Sequence, residues 1–119
     1  MAKLSAHGRP FLTYFHARRR ALLSVHPDGT TLFRTPFQGW KVLARKKAEV
    51  PLEQWKESKR RQFEAQPHWA KDITKLPSQA TIEHWMMDGV AETVEGDDIE
   101  PDGIGANGSP SWLLALGLI

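Results

Sequence analysis

Basic side chains are the residues whose types and spacing best suit chemistry. Arg18 and Arg20 stand two apart in "YFHARRRALLSV", so a β-strand there would point both to one face, with Tyr14 on the same side. Arg34, Lys41 and Arg45 extend that face if the next two segments pair with it. Guanidinium and ammonium groups neutralise phosphates, and an aromatic ring among them gives a base something to stack on. Single strands are held in this way without their sequence being read. The neighbouring stretch "PLEQWKESKRRQFEAQ" adds Lys56, Lys59 and Arg60 to the candidate phosphate contacts. The plainer reading is a solvated polar face, where Arg is common.

The net charge of +2 conceals how the charges are laid out. All 16 Lys and Arg fall in residues 1–76 beside six acids, and residues 77–119 hold the other eight acids with no Lys or Arg. Such polarity points to charged partners, or to halves that neutralise one another within or between copies. Asp97 and Asp98 sit in the acidic run from Glu92 to Asp102, which can imitate a row of phosphates towards a nucleic-acid-handling protein. A solvated loop is the simpler account of the same residues.

Other chemistries find little footing. With no cysteine, disulfide scaffolds, thiolate metal sites and cysteine nucleophiles are excluded, and a reducing cytoplasm is the expected setting. Asp98, Glu100, Asp102 and Gly103 resemble the first half of a calcium loop, but its twelfth position is Ser109, where a bidentate Glu is required. The five His are scattered without ligand spacing, and no Gly-rich phosphate loop or nucleophile motif is present. The expectation is a chain with no cofactor and no enzymatic activity. The apolar run Trp112–Ile119 is far short of the roughly 20 residues that span a bilayer, so no membrane partner is expected.

The elements that would position the basic residues read as one small α+β domain over 1–119. Residues 11–46 form a three-stranded antiparallel meander: one alternating strand from Tyr14 to Val25, a turn at His26–Gly29, a return strand Thr30–Phe37, a turn at Gln38–Gly39, and Trp40–Arg45. Residues 51–88 switch to helical spacing. A helix begins at Pro51 and a short one follows Pro67. A third has Ser78 as its N-cap, Ile82, Trp85 and Met86 on its inner face, and Asp88–Gly89 as its end. These two or three short helices would pack on one sheet face, over Phe15, Leu23 and Trp40. Residues 89–111 read as an acidic Gly/Pro loop with room for one strand at Val90–Val94.

The closing residues 112–119 read as a short apolar helix, capped by Ser109 with Pro110 in its first turn. Trp112, Leu113 and Leu116 share one side of it. That side either completes the core by docking on the sheet, or meets a second copy or a partner.

The stretches "AKLSAHG" (Ala2–Gly8), "DGTTLFR" (Asp28–Arg34) and "GWKVLARKKAEV" (Gly39–Val50) resemble short uncharacterised proteins of bacterial phages, prophages and mobile elements. The resemblance covers roughly the first 50 residues. It implies a bacterial host cell and a compact hairpin start, and it assigns no catalytic residue. The expected role is then an accessory protein that binds nucleic acid, or a host nucleic-acid-handling complex, through the basic face. The alternative is a virion or assembly component that docks through the apolar tail.

Overall fold

A computed structural model of the chain describes residues 4–119, so the first two residues of the Ala2–Gly8 stretch lie outside it. The fold is α+β. It comprises two compact units, the described residues up to Thr74 and Lys75–Ile119. The break in charge at residues 76/77 falls within two residues of that boundary.

The first unit is built on a four-stranded antiparallel sheet in simple sequence order: β1 (Leu12–His16), β2 (Ala21–Val25), β3 (Thr30–Thr35) and β4 (Gln38–Arg45). The expected single strand from Tyr14 to Val25 is in fact a hairpin, which brings the strand count from three to four. Residues 17–20 turn back, with the Arg20 N–H donating to the His16 carbonyl at 2.8 Å and Arg20 itself at φ 56°. Alternation continues across so tight a turn, and none of its residues is a Gly, Pro, Asn or Asp that would mark it. Leu12 pairs with Val25, Tyr14 with Leu23 and His16 with Ala21.

The turn at His26–Gly29 joins β2 to β3 as expected. Gly29 takes the positive φ of 92° it requires, and the Thr30 N–H donates to Asp28 Oδ1 at 2.9 Å. His26 is fully buried behind it. Its Nδ1 lies 3.0 Å from the Gly8 carbonyl, which can only accept, so Nδ1 donates; Nε2 lies 2.8 Å from Ser24 Oγ. The second turn falls at Pro36–Phe37, ahead of its expected place at Gln38–Gly39, and the latter pair opens β4.

Helix α1 (Leu52–Glu64) starts one residue later than expected, with Pro51 as its N-cap and not its first residue. It and the single turn α2 (His68–Lys71) lie beside β1. Trp55 joins Tyr14, Leu23 and Val25 in a buried cluster that Phe11, Phe33, Leu43 and Phe63 flank. Each such side chain contributes on the order of 1.5–3 kcal/mol of burial. Phe15 neighbours Tyr14 in sequence and so points to the opposite face, where Trp69 meets it with ring centroids 5.9 Å apart. The helices of this unit therefore do not share a single sheet face.

In the second unit, α3 (Gln79–Asp88) has the ends its sequence predicts. Ser78 accepts the Thr81 N–H at 3.1 Å, and Gly89 closes the helix in the left-handed conformation at φ 73°. Ile82 and Trp85 are buried, while Met86, expected beside them, is 54% exposed. Residues 89–111 are more ordered than a loop. Strands β5 (Ala91–Glu92) and β6 (Asp98–Ile99) pair antiparallel. Thr93 forms a bridge with Ser111, and its hydroxyl accepts the N–H groups of Glu95 and Asp97. The last helix, α4 (Trp112–Ala115), is capped by Ser111, not Ser109. The Ser111 hydroxyl accepts the Leu114 N–H at 3.1 Å and donates to the Pro101 carbonyl at 2.5 Å. Ser109 instead donates its hydroxyl to Glu95.

Candidate functional site

Strand register decides where the basic residues go. Lys41 pairs with Phe33 and Arg34 pairs with Leu22, so these neighbours on β3 send the two cations to opposite faces. Arg45 pairs with Thr30, four residues from Arg34, and joins Arg34. Lys41 and Arg45 would share a face in a regular strand. The register shift between Thr31 and Leu32 places an extra β4 residue between Val42 and Ala44, and the alternation inverts. The continuous basic face expected from the sequence is thus divided between the two sides of the sheet. Arg18 and Arg20 lie on the turn 17–20, and neither belongs to a strand.

Tyr14, the expected stacking group, is 0% exposed and meets Phe63 edge-on at 5.3 Å, so its ring is core. Burial raises its hydroxyl pKa above the ordinary value, and its Oη is buried without a hydrogen-bond partner.

The helix cations are partly neutralised. Lys56 lies 3.8 Å from Glu53, and Arg60 and Arg61 lie 3.6 and 3.8 Å from Glu57. Lys56 and Arg60 also lie over the Phe11 ring. By contrast Arg18, Arg19, Arg20, Arg34, Lys41, Arg45 and Lys59 have no ion pair among the described residues, although Lys59 lies over the Trp55 ring, 5.8 Å from its centroid.

Three of these unpaired cations converge. Arg18 and Arg19 from the turn and Lys59 from α1 line a cavity of about 530 Å³, with His16 at the end of β1. Leu23, Leu43 and Ala44 supply its apolar wall, and Thr31 and Gln62 its neutral polar groups. No carboxylate lines it. The charges act on one another as this crowding requires. Burial and then the Arg19 charge lower the Lys59 pKa. His16 is lowered by burial first and then by Arg19, with Arg18 and Lys59 adding to it, against a hydrogen bond to its own backbone. The Arg19 N–H donates to His16 Nδ1 at 3.2 Å, which fits a neutral ring with its proton on Nε2. Thr31 is 1% exposed, and its hydroxyl has no partner in the protein. A buried donor left unmade costs free energy.

The turn is held from behind. Gln66, just past α1, accepts the Ala17 N–H at 3.0 Å, and its amide donates to the Gln62 carbonyl at 3.2 Å.

Of the residues selected from sequence, Arg18 and Lys59 reach this cavity. Arg19, His16, Thr31 and Gln62 were not selected, because a continuous strand would have turned Arg19 to the apolar side. The run of three Arg was the available signal: a half-buried strand does not readily carry consecutive charges, and a turn does.

The remaining candidates fall in the second unit. Asp97 and Asp98 are exposed, with Asp98 opposite Glu92 in the β5–β6 pair. Trp112, Leu113 and Leu116 are all buried, at 8%, 1% and 8% exposure. No group of His, Asp and Glu suited to a metal ion occurs among the described residues, and no helix among them is long and apolar enough to cross a membrane. No protein-family model matches the chain, and no curated protein or solved structure matches it.

Proposed function

We propose that this chain is a non-enzymatic binding protein that holds nucleic acid by its phosphates through the first unit, as an accessory factor of a phage or mobile element in a bacterial cell. The observation that carries the reading is the set of unneutralised cations in that unit, above all Arg18, Arg19 and Arg20 on one exposed turn without a single ion pair among the described residues. A cation left without a carboxylate exchanges mobile counterions for phosphate at little cost, and the released counterions drive association. A binding role also fits the Ser24–His26 contact. Its 2.8 Å geometry suits nucleophilic chemistry, yet Ser24 is 1% exposed and His26 fully buried, out of a substrate's reach.

A gel shift with a single-stranded oligonucleotide tests the reading, run across roughly 50 to 200 mM salt. Affinity should fall with salt by a log–log slope of about −0.7 for each phosphate neutralised. The R18A/R20A variant should bind more weakly across sequences with a shallower slope. Absence of any shift at the lowest salt would overturn direct nucleic-acid binding.

A further inference from the structure

The cavity beside the arginine turn differs from an ordinary basic surface in two respects. It is concave, at about 530 Å³, within the roughly 300–1,000 Å³ typical of small-ligand sites. Its charge is one-sided: three cations and a histidine with no carboxylate among them. We propose that this cavity is a phosphomonoester site that seats one nucleotide with a terminal phosphate, with Arg18, Arg19 and Lys59 on the phosphate.

The charge argues for a monoester. A phosphate inside a strand is a diester with a single negative charge, whereas a terminal phosphate carries about −1.5 to −2 at pH 7. Two arginines and a lysine that repel one another, with Lys59 half-withdrawn from water, gain most from the more highly charged group. The turn arginines carry fork-like donors that fit phosphate oxygens in pairs, and Lys59 adds a point charge. His16, with its proton on Nε2, is a further donor in the wall.

The size and wall argue for a nucleotide. A bare phosphate would leave most of the volume empty. Leu23, Leu43 and Ala44 offer the attached sugar and base an apolar surface, and the Gln62 amide can both donate to and accept from a base edge. The inference rests on the nucleic-acid reading above and narrows it: the chain would favour an end over the middle of a strand. A free mononucleotide presents the same chemistry.

The test uses the full chain and one oligonucleotide in three forms: unphosphorylated, 5′-phosphorylated and 3′-phosphorylated. At least one phosphorylated form should bind about tenfold more tightly than the unphosphorylated strand, the scale of one or two added charge-assisted hydrogen bonds. K59M and R19M each remove one of two cations that repel one another. Neither should melt below the parent and each should lose most of that preference, so misfolding cannot account for the loss.

Adenosine 5′-monophosphate as competitor separates the sources. Displacement of the phosphorylated strand identifies a nucleotide alone as sufficient; preference without displacement identifies a strand end. Equal affinity for all three strands, with salt-sensitive binding intact, overturns the phosphomonoester site and leaves the nucleic-acid reading standing. Retention of the full preference in both R19M and K59M overturns the assignment to this cavity. No binding of any strand at low salt overturns both.

Discussion

Gln66 and Ala17 are 49 residues apart in sequence, and the Gln66 side chain accepts the Ala17 backbone N–H at 3.0 Å. This contact fixes the arginine turn against the end of α1, the helix that brings Lys59 to the same cavity. A turn of four residues bearing three like charges tends to splay, and a hydrogen bond to its first residue opposes that. Gln66 is therefore a positioning residue.

Q66A should cost about 1 kcal/mol of stability, the usual net value of one hydrogen bond. Urea unfolding measures it. A folded protein weakened by that amount is still almost entirely folded, so the stability loss alone leaves affinity for a phosphorylated strand unchanged. A clear fall in affinity in Q66A reads the loosening of the turn. Unchanged affinity would show that the turn holds its shape without Gln66.

His16 gives the unit a pH dependence of known sign. Burial and the charges of Arg19, Arg18 and Lys59 lower its pKa in the folded state, so the unfolded chain binds the proton more readily. Its contribution to stability is complete above the unfolded value of about 6.5 and is lost as pH falls through the lower folded value. Urea unfolding at about pH 7.5, 6.5 and 5.5 should therefore show the parent losing more stability on acidification than H16N does. The difference between the two proteins isolates His16 from the other histidines. Parallel pH profiles would show that His16 does not feel the neighbouring cations.

Legibility from sequence followed the range of the forces involved. Ser78 and Gly89 announced the ends of α3 because capping is local chemistry, and His26–Gly29 announced a turn because Gly29 must take a positive φ. The charge break near residue 76 falls beside the boundary between the two compact units. The cavity was largely hidden. Finding it required the hairpin at residues 17–20, where Arg20 adopts a conformation that arginine seldom takes, and the irregularity in β4 that sends Lys41 and Arg45 apart. The irregularity leaves no residue-type signature, and the run of three Arg is the one hint of the turn. The order of residues 89–111 was hidden for a related reason: Thr93, Ser109 and Ser111 organise it through side-chain hydrogen bonds that polar loop composition does not reveal.

The apolar end of the chain separates core from surface residue by residue. Leu113 is 1% exposed, and α4 lies beside β5 in the second unit. The Leu118 N–H donates to the Leu113 carbonyl at 2.9 Å, and the following residue, Ile119, is 54% exposed. A leucine with no solvent contact leaves a cavity when truncated, so L113A should cost about 2–5 kcal/mol. I119S removes a side chain that is already half in water and should change stability by no more than about 0.5 kcal/mol. Thermal or urea melts of both variants check this contrast. If L113A melted with the parent, Leu113 would not be core in solution, and its side of α4 would be free to meet a second copy or a partner. Light scattering on the same samples decides between those two, because a second copy doubles the mass of the purified protein and a foreign partner leaves it monomeric.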